Sequence, residues 1–580
     1  MNVLGISALY HDSAAVLVRG GRVLAGAQEE RFTRVRHDAA MPLQAVEYCL
    51  REAGIAAEEL AAIAFYEKPM YKFLDRILTT SLATWPWSLA PFLEAIPQWM
   101  AVKYWAPYEI EKIGNFRVPV RYATHHEAHA ASAFLPSPFE ESAILTADGV
   151  GEWSTTTIGH GRGKDFALTQ ELRFPHSLGL LYSTMTAYLG FRVNSAEYKV
   201  MGLAPYGEPT MVDKFHELVD LREDGSFRMR MKYFRYHRSL HMPTRAMERL
   251  FGHPIRRNED EPLTQFHKDC ARSLQEFVNE AMLRLARRAH AAFPSKNLCM
   301  AGGVALNCVS NSYLLEHGPF ENVWVQPAAG DAGGALGAAL IASRDLDPSF
   351  ERVTMEDVYL GPAFPEDEMR AAMEEAGLVY TRLEDDALIE YLAGRLEEQA
   401  IVGWFHGRME FGPRALGARS IIADARRAEN RDRVNLAIKF RESFRPFAPS
   451  VPEDAVNDWF AWDRPSRFML FTAPTREPER LPAIAHVDAS ARIQTVTRAS
   501  SPLYYDLHRA FQKRAGTPVL INTSFNVRGE PIVCSPRDAV SCFLGTHIDV
   551  LKLGPYIAEK RDVPGDRLTV ERKRRDFAPD

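Results

Sequence analysis

The chain has 580 residues, which is too long for one hydrophobic core and predicts two or three domains. Apolar residues make up 46% and charged residues 25% of the sequence, as is usual for soluble globular proteins. The net charge of −6 argues against a general basic surface for nucleic acid or anionic membranes. The six cysteines form no CxxC pair and no zinc spacing, so we expect reduced, mostly buried thiols in a cytoplasmic protein.

The first elements of the chain are the apolar run NVLGIS and the runs AAVLV and RVLAGAQ, which are joined by a Gly-Gly turn. This pattern predicts a strand followed by a β-hairpin. The same pattern returns in SAILTADGVGEWSTTTIGHGRGKDFALTQEL, which indicates an internal duplication. Two lobes that each begin with three antiparallel strands predict an α/β protein with duplicated actin-like (ribonuclease-H-like) lobes, by analogy at the level of the fold.

The strongest candidate for a membrane segment is the apolar stretch at residues 81–102. It contains Pro86, Pro91, Pro97 and Glu94. Prolines should break a helix here and a carboxylate would lie in lipid, so we predict no membrane span. The N-terminus also lacks the basic region and long apolar run of a signal peptide.

Two later segments place glycines at a predicted strand-to-helix turn. They are NLCMAGGVALNCVSNSYLLE and VWVQPAAGDAGGALGAALIAS, with the glycines Gly302, Gly303, Gly333, Gly334 and Gly337. Such glycines let backbone N–H groups approach an anion at a helix N-terminus, although they also serve close helix–sheet packing. Two of these turns in a duplicated fold favour a nucleotide cleft.

The segment THHEAHAASAF contains three histidines. On a helix, His125 and His129 share one face, whereas His126 should point elsewhere. The segment is not a zincin HExxH motif, and an HxxxH pair alone is more often structural. Asp148 and Asp331, however, follow predicted strands toward the same cleft. Two imidazoles and two carboxylates would suit Fe(II), Mn(II) or Zn(II).

After Val358 the sequence changes character, and we predict domains at residues 1–360 and 361–580. The second domain contains clustered cations that are interleaved with Gly, Pro and Phe. This setting favours bidentate recognition of phosphate or carboxylate over a solvated surface. Salt bridges to Glu410 and Glu442 are the structural alternative. The clustered cations are Arg414, Arg419, Lys439, Arg441, Arg445 and Arg492.

These motifs, together with GISALYHDSAAVLV, SAEYKVMGLAPYG and NTSFNVRGEPIV, resemble the NodU/CmcH-type O-carbamoyltransferases of nodulation-factor and antibiotic biosynthesis. The first domain is also similar to tRNA threonylcarbamoyl-adenosine transferases. The resemblance implies duplicated actin-like ATPase lobes with a metal–nucleotide cleft, followed by a YrdC-like α/β carbamoylating domain.

The resemblance also implies the chemistry. Carbamoyl phosphate and ATP would form a carbamoyl-adenylate and pyrophosphate in the second domain. The carbamoyl group would then pass to a hydroxyl of a small natural-product acceptor in the first domain, with release of AMP. The implied cofactors are ATP and a divalent metal, Fe(II) first, with Mg, Mn or Zn as alternatives. No nucleic-acid or membrane partner is expected, and a homodimer is the default assembly.

Residue by residue, the resemblance implies a metal site formed by His125, His129, Asp148 and Asp331. It implies nucleotide contacts at Gly302, Gly303 and Asn307, and carbamoyl phosphate or second-nucleotide contacts at Arg414, Lys439, Arg445, Arg492, Asn522 and Arg528. Lys199 either meets phosphate or is structural. His11 and Asp12 face the same cleft, and His11 is the candidate general base on the acceptor hydroxyl, unless it only holds its loop.

The tryptophans Trp85, Trp87 and Trp99 lie outside the shared motifs. They predict either a cover over the cleft for a large, partly apolar acceptor or a helical excursion packed on the core.

Three other functions remain open. An actin-like small-molecule kinase would release ADP and would not need the basic second domain. A tRNA threonylcarbamoyl transferase is disfavoured by the net acidity. A non-catalytic ATP-driven chaperone or scaffold would need neither the histidine pair nor the arginines.

Overall fold

The computed structural model describes residues 1–101, 108, 110, 118–239, 241–439 and 444–568. The chain divides into two units, one formed by Met1–Thr33 with His37–Met355 and the other by Arg34–Arg36 with Glu356–Asp580. The roles assigned to the predicted domains 1–360 and 361–580 stay predictions. The six cysteines are buried free thiols, as expected from their spacing.

The first unit contains two five-stranded sheets and a separate hairpin. The strands of the first sheet are β1 (Asn2–Ser7), β2 (Ala14–Arg19), β3 (Arg22–Gln28), β4 (Leu60–Phe65) and β5 (Val120–Tyr122). The later strands are β6 (Glu141–Ala147), β7 (Ser154–Arg162), β8 (Asp165–Arg173), β9 (Val219–Leu221), β10 (Phe227–Met229), β11 (Asn297–Ala301) and β12 (Asn322–Val325). Strands β9 and β10 form the hairpin.

The two sheets have the same topology. The first has the order β3-β2-β1-β4-β5, and the second has the order β8-β7-β6-β11-β12. In each sheet the first three strands are antiparallel, and the last two run parallel to the first strand. This repeat is the predicted internal duplication, with one ribonuclease-H-like sheet in each lobe, and it confirms the actin-like fold class.

The first unit also contains α-helices in its described residues. They are α1 (Glu30–Thr33), α2 (Leu43–Ala53), α3 (Pro69–Tyr71), α4 (Thr79–Ala83), α5 (Leu89–Ala101), α6 (His125–Phe134), α7 (Leu178–Tyr188), α8 (Glu197–Leu203), α9 (Val212–Leu218), α10 (Arg245–Phe251), α11 (Gln265–Ala292), α12 (Cys308–His317) and α13 (Ala332–Leu346). A π-helical segment, Lys72–Leu78, joins α3 to α4.

The apolar stretch that begins at residue 81 forms the end of α4, a turn that contains Trp85 and Trp87, and helix α5. Helix α5 continues through Pro97, so the expectation that each proline breaks the helix is wrong at that position. In the described part of the chain, no helix is both long enough and apolar enough to cross a bilayer. Trp85 and Trp87 are 56% and 71% exposed, so these two rings are not packed on the core. The side chain of Trp99 lies outside the described residues. That these tryptophans cover a cleft for the acceptor stays a prediction.

Helix α13 packs against β1, β2 and α6 through small residues. A Cβ on Gly5 of β1 would lie 1.9 Å from the carbonyl oxygen of Ala335. A Cβ on Gly337 would lie 1.7 Å from the carbonyl oxygen of Ala128 in α6. Side-chain carbons cannot approach a carbonyl so closely, because interiors are already close-packed. The packing interpretation therefore explains Gly337, which sets the distance between α13 and α6.

Replacing Gly337 by alanine is expected to lower the free energy of unfolding by about 1–3 kcal/mol, because the added methyl overpacks the α13–α6 contact. The midpoint of denaturant unfolding would measure this change. Gly330→Ala is the matched control, since a Cβ there meets its nearest atom at 4.0 Å. Equal midpoints for the two variants would contradict the packing account.

The second unit is built on an eight-stranded mixed sheet in the order β13-β22-β21-β14-β15-β20-β16-β19. Its strands, with the separate ribbon β17–β18, are β13 (Thr381–Arg382), β14 (Val402–Phe405), β15 (Arg419–Asp424), β16 (Ala448–Pro452), β17 (Thr472–Pro474), β18 (Ser490–Arg492), β19 (Gln494–Val496), β20 (Leu520–Ser524), β21 (Val550–Leu553) and β22 (Tyr556–Glu559). Its helices are α14 (Glu366–Glu375), α15 (Asp385–Glu397), α16 (Ala428–Arg433), α17 (Val456–Trp459), α18 (Pro502–Ala515) and α19 (Pro536–Leu544).

Alternate residues of the central strand β14 face two separate hydrophobic clusters. Val402 and Trp404 pack with α15 and α18, and Phe405 packs with α14 and α19. A strand with helices on both faces is buried on both sides, which explains the unbroken apolar run VGWF. The second unit is therefore also α/β, in agreement with the predicted class.

Candidate metal centre and anion sites

The helix that carries the histidine pair has a strongly defined start. Thr124 and Glu127 form a capping box, in which each side chain accepts a hydrogen bond from the backbone N–H of the other residue. The carboxylate of Glu152 accepts the N–H of His125 at 3.1 and 3.2 Å. Negative charge at this helix end is stabilising. His125 is thereby held in the first turn, and His129 lies one turn later on the same face.

The structure brings together the four residues predicted as metal ligands. The Nε2 atoms of His125 and His129 lie 3.0 Å apart. Asp148 Oδ2 lies 3.0 Å from the Nε2 of His125 and 3.9 Å from that of His129. Asp331 Oδ1 lies 3.7 and 3.8 Å from the same two nitrogens. One ligand atom from each of these residues lies within 4.8 Å of all the others.

These four residues fit a divalent cation. Metal–ligand bonds of about 2.1 Å place ligand atoms about 3.0–3.4 Å apart. The spacings from His125 to His129 and to Asp148 are 3.0 Å, and the other three histidine–aspartate spacings are slightly longer, at 3.7–3.9 Å. Burial alone would lower the pKa of His125, but Asp331 and Asp148 raise it to about 9. Burial opposes ionisation of Asp148, yet its hydrogen bond with His125 and the nearby His129 hold its pKa well below its usual range. The cluster combines two carboxylates with two imidazoles, a ligand set that suits a transition metal.

His126 points away from this cluster. Its Nδ1 lies 2.6 Å from Thr146 Oγ1, and its Nε2 lies 2.8 Å from the carbonyl oxygen of Ser154. Burial, with His125 and His129 nearby, lowers its pKa to about 3. His126 is therefore a neutral packing residue.

A second histidine–carboxylate group borders the cluster, in the β1–β2 loop. His11 Nε2 lies 3.8 Å from Asp331 Oδ2, and its Nδ1 hydrogen-bonds Asp12 Oδ2 at 3.0 Å. The other Asp12 oxygen hydrogen-bonds His37 Nδ1 at 2.8 Å. The loop corresponds to the β6–β7 turn that carries Asp148, so the duplicated sheets bring equivalent turns to one place.

The charge of this group depends on its carboxylates. Burial would lower the pKa of His11, but Asp331 and Asp12 raise it to about 9. Burial would raise the pKa of Asp12, but hydrogen bonds from His11 and His37 hold it well below its usual range. Asp12 therefore stays ionised and fixes the orientation of His11.

The predicted nucleotide glycines contact Asp148 and its strand. Gly302 has φ +95°, and a Cβ there would lie 2.2 Å from the carbonyl oxygen of Ala147. The N–H of Gly303 donates to Asp148 Oδ1 at 2.8 Å. These glycines thus position Asp148, a member of the candidate metal cluster, and their contact with nucleotide stays a prediction.

Asn307 and Lys199 make contacts within the protein. Asn307 caps α12 by accepting the N–H of Ser310 at 3.1 Å, and it donates to Gln275 at 3.0 Å. The buried ammonium of Lys199 donates to both carboxylate oxygens of Glu259 at 2.9 Å. These contacts favour the structural alternative for Lys199.

In the second unit, Asn522 lies on strand β20, and Lys439 contacts the end of that strand and the loop that follows it. The ammonium of Lys439 donates to the carbonyl oxygen and hydroxyl of Ser524, and to the side-chain and backbone oxygens of Asn526 at 2.6 and 3.0 Å. Asn522 donates to Gln494 at 2.6 Å. Its buried Oδ1 has no hydrogen-bond partner within the described chain.

The predicted arginines of this unit are half-buried and lie on several elements. Arg414 lies between β14 and β15, Arg445 precedes β16, Arg492 ends β18 and Arg528 follows β20. Arg441 and Glu442 lie outside the described residues. Arg419 has a structural role, because it donates to the carbonyl oxygens of Pro362 and His406 at 2.9 and 3.0 Å and covers the Phe405 ring.

Comparison with known families identifies the chain. The family model for the carbamoyltransferase N-terminus matches residues 2–340, and that for the carbamoyltransferase C-terminus matches residues 393–560. The chain belongs to the carbamoyltransferase family. The resemblance inferred from its motifs is therefore confirmed.

Three relatives of this carbamoyltransferase match along most of its length. The uncharacterized protein sll1178 of Synechocystis is 48% identical and covers 97% of each chain. Nodulation protein NolNO of Sinorhizobium fredii is 39% identical over 95% of this chain and 79% of its own. Nodulation protein NolO of Bradyrhizobium diazoefficiens is 41% identical over 75% of this chain and 79% of its own.

Sequence reasoning missed several groups around the site of this carbamoyltransferase. His37 and Glu152 hold Asp12 and His125, yet neither belongs to a motif with a recognisable spacing. Glu152 offered one signal, because it follows the turn that carries Asp148. His37 offered no such signal, since its contact with Asp12 depends on the path of the chain after β3, which brings His37 back to the β1–β2 loop.

Proposed function

We propose that this carbamoyltransferase is ATP-dependent and works in two steps. In the second unit, water would cleave carbamoyl phosphate to carbamate and inorganic phosphate. A carbamate oxygen would then bond to the α-phosphorus of ATP, which gives a carbamoyl-adenylate and releases pyrophosphate. In the first unit, a hydroxyl of a small natural product would take the carbamoyl group and release AMP. The observation that carries this proposal is the cluster of two histidines and two aspartates, with His11 3.8 Å from Asp331, in a chain of this family.

The chemistry explains why two steps are useful. The carbamoyl nitrogen donates into the carbonyl group, so the carbamoyl carbon is a poor electrophile. Attachment to AMP supplies a good leaving group, and a separate site for its formation protects the reactive intermediate from water.

In the transfer step, His11 Nε2 would accept the proton of the acceptor hydroxyl while Asp12 holds the opposite nitrogen. The acceptor oxygen forms a bond to the carbamoyl carbon, and the bond from that carbon to the phosphate oxygen breaks. A divalent cation, proposed as Fe(II) and held by His125, His129, Asp148 and Asp331, would polarise a phosphate oxygen and offset the carboxylate charge that raises the pKa of His11.

In the activation step, Lys439 and the arginines of the second unit would neutralise the charge of carbamoyl phosphate and ATP. The buried Oδ1 of Asn522 is suited to accept a hydrogen bond from the carbamoyl N–H₂ group. This contact would distinguish a carbamoyl group from an acetyl group, which has no such donor.

The test is to incubate the purified protein with ATP, carbamoyl phosphate and Fe(II) or Mn(II), and to separate the nucleotides. AMP and pyrophosphate that appear only with carbamoyl phosphate would support the carbamoyl-adenylate route. Production of ADP, or nucleotide turnover independent of carbamoyl phosphate, would contradict it and favour a kinase.

His11→Asn is expected to reduce carbamoyl transfer by about 10²–10⁴-fold, because the variant lacks the general base. Pyrophosphate release should persist, since it belongs to the other unit. The measurement uses labelled carbamoyl phosphate with a panel of hydroxylated small molecules. His317→Asn, at the exposed end of α12, is the control. Unchanged transfer in His11→Asn would remove the base assignment.

A further inference from the structure

Arg76 lies on the π-helical segment Lys72–Leu78 of the first unit. Its Nη1 donates to the carbonyl oxygen of Gly151, and its guanidinium carbon lies 5.8 Å from the centroid of the Phe174 ring. Gly151 packs on the start of α6, since a Cβ there would lie 3.0 Å from His125 Cβ. Arg76 therefore brings a positive charge to the loop that packs on the start of α6.

The guanidinium of Arg76 is unusually short of partners. It has five N–H donors, but among the described residues it makes the single hydrogen bond to Gly151 and has no carboxylate oxygen within 4.0 Å. Arg352 of the same unit shows the contrast. It donates to the carbonyl oxygens of Leu135 at 3.0 Å, Gly163 at 2.9 Å and Phe134 at 2.8 Å.

The carboxylates near Arg76 already have other partners. Glu67 accepts from the ammonium of Lys72, and Glu152 accepts the N–H groups of His125 and Lys68. Burial lowers the pKa of Arg76, against the effect of Tyr10 and the two glutamates. No Arg76 nitrogen is among the buried side-chain atoms of the described residues that have no partner, so its remaining donors reach solvent and can pair with a bound anion.

We propose that Arg76 binds the phosphate of the carbamoyl-adenylate, and of the AMP product, beside the metal cluster. This inference rests on the proposed function. Its remaining N–H donors form a fork that matches two oxygens of one phosphate. As the acceptor oxygen bonds to the carbamoyl carbon and its proton passes to His11, the electron pair of the breaking C–O bond goes to the phosphate oxygen. Arg76 stabilises the negative charge that develops there.

The experiment compares the binding of AMP and adenosine to the full-length, Mn(II)-loaded protein by calorimetry. His129→Ala is expected to remove AMP binding at the four-residue cluster. The difference in AMP binding between the parent protein and this variant therefore measures the site in the first unit. Arg76→Gln is expected to weaken this part by roughly 10- to 100-fold, the size of a lost charge-assisted hydrogen-bond pair. Adenosine, which has no phosphate, should bind Arg76→Gln and the parent protein equally.

Arg51→Gln is the matched control, because it removes one positive charge from an exposed position of the same unit and should leave AMP affinity unchanged. Arg76→Lys keeps the charge but loses the fork, so it should give an intermediate loss, and it replaces Arg76→Gln if that variant does not fold.

Three results would overturn the inference. AMP affinity could stay unchanged in the Arg76 variants. AMP and adenosine could weaken equally, which would assign Arg76 a structural role. AMP binding could lack any part that depends on His129, in which case the nucleotide site proposed for the first unit fails, and the role of Arg76 fails with it.

Discussion

Replacing His129 by alanine is expected to abolish carbamoyl transfer while pyrophosphate release continues. His129 lies in the interior of the four-residue cluster, with its Nε2 3.0 Å from that of His125. Loss of one of four ligands should empty the metal site, and a catalytic metal contributes several kcal/mol to the transition state. We therefore expect transfer to fall by at least about 10³-fold.

Metal content and the two half-reactions test this prediction separately. Metal analysis of the purified variant should show occupancy far below that of the parent protein. His126→Gln is the matched control, because His126 lies on the same helix but hydrogen-bonds Thr146 and Ser154 outside the cluster. A His129→Ala protein that retains metal and transfers normally would exclude the cluster as the metal centre. Loss of pyrophosphate release as well would contradict the division of work between the units.

Replacing Lys439 by methionine is expected to have the opposite pattern, with loss of pyrophosphate release and intact metal binding. The ammonium of Lys439 is held in place by oxygens of Ser524 and Asn526, so its charge is already oriented before substrate binds. Removal of one preorganised group of this kind typically slows a reaction by about 10²–10³-fold.

Release of pyrophosphate from ATP and carbamoyl phosphate measures this effect. Arg498→Gln is the control, since Arg498 is 71% exposed on the same unit. Thermal unfolding must accompany the assay, because Lys439 also ties its segment to the end of β20. A folded Lys439→Met protein with normal pyrophosphate release would place the activation site elsewhere.

The repeated strand-and-hairpin pattern was predictable from local sequence. Apolar runs separated by glycine-containing turns determine β1–β3, and similar signals determine β6–β8. The spacing of His125 and His129 likewise determines that they share a helix face, since the capping box of Thr124 and Glu127 starts that helix where the histidines begin.

The glycine-rich helix shows where a local pattern was ambiguous. Glycines after a strand are compatible with an anion site and with close packing. In the structure, the carbonyl oxygen of Ala128 occupies the space that a Cβ on Gly337 would need. The carbonyl oxygen of Ala335 does the same at Gly5, so both glycines serve close packing. No local rule predicts which distant backbone will approach a glycine.

The sequence by itself determined the duplicated lobes, the family and the four residues of the candidate metal cluster. Only the tertiary structure decided that His37 orients Asp12, that Lys199 pairs with Glu259, and that Arg76 donates to the carbonyl oxygen of Gly151. The physical reason is the range of the interactions. Helix caps, hairpins and shared helix faces depend on residues within a few positions of each other. The other contacts join segments that are far apart in the chain, and they form only when whole sheets and helices have packed.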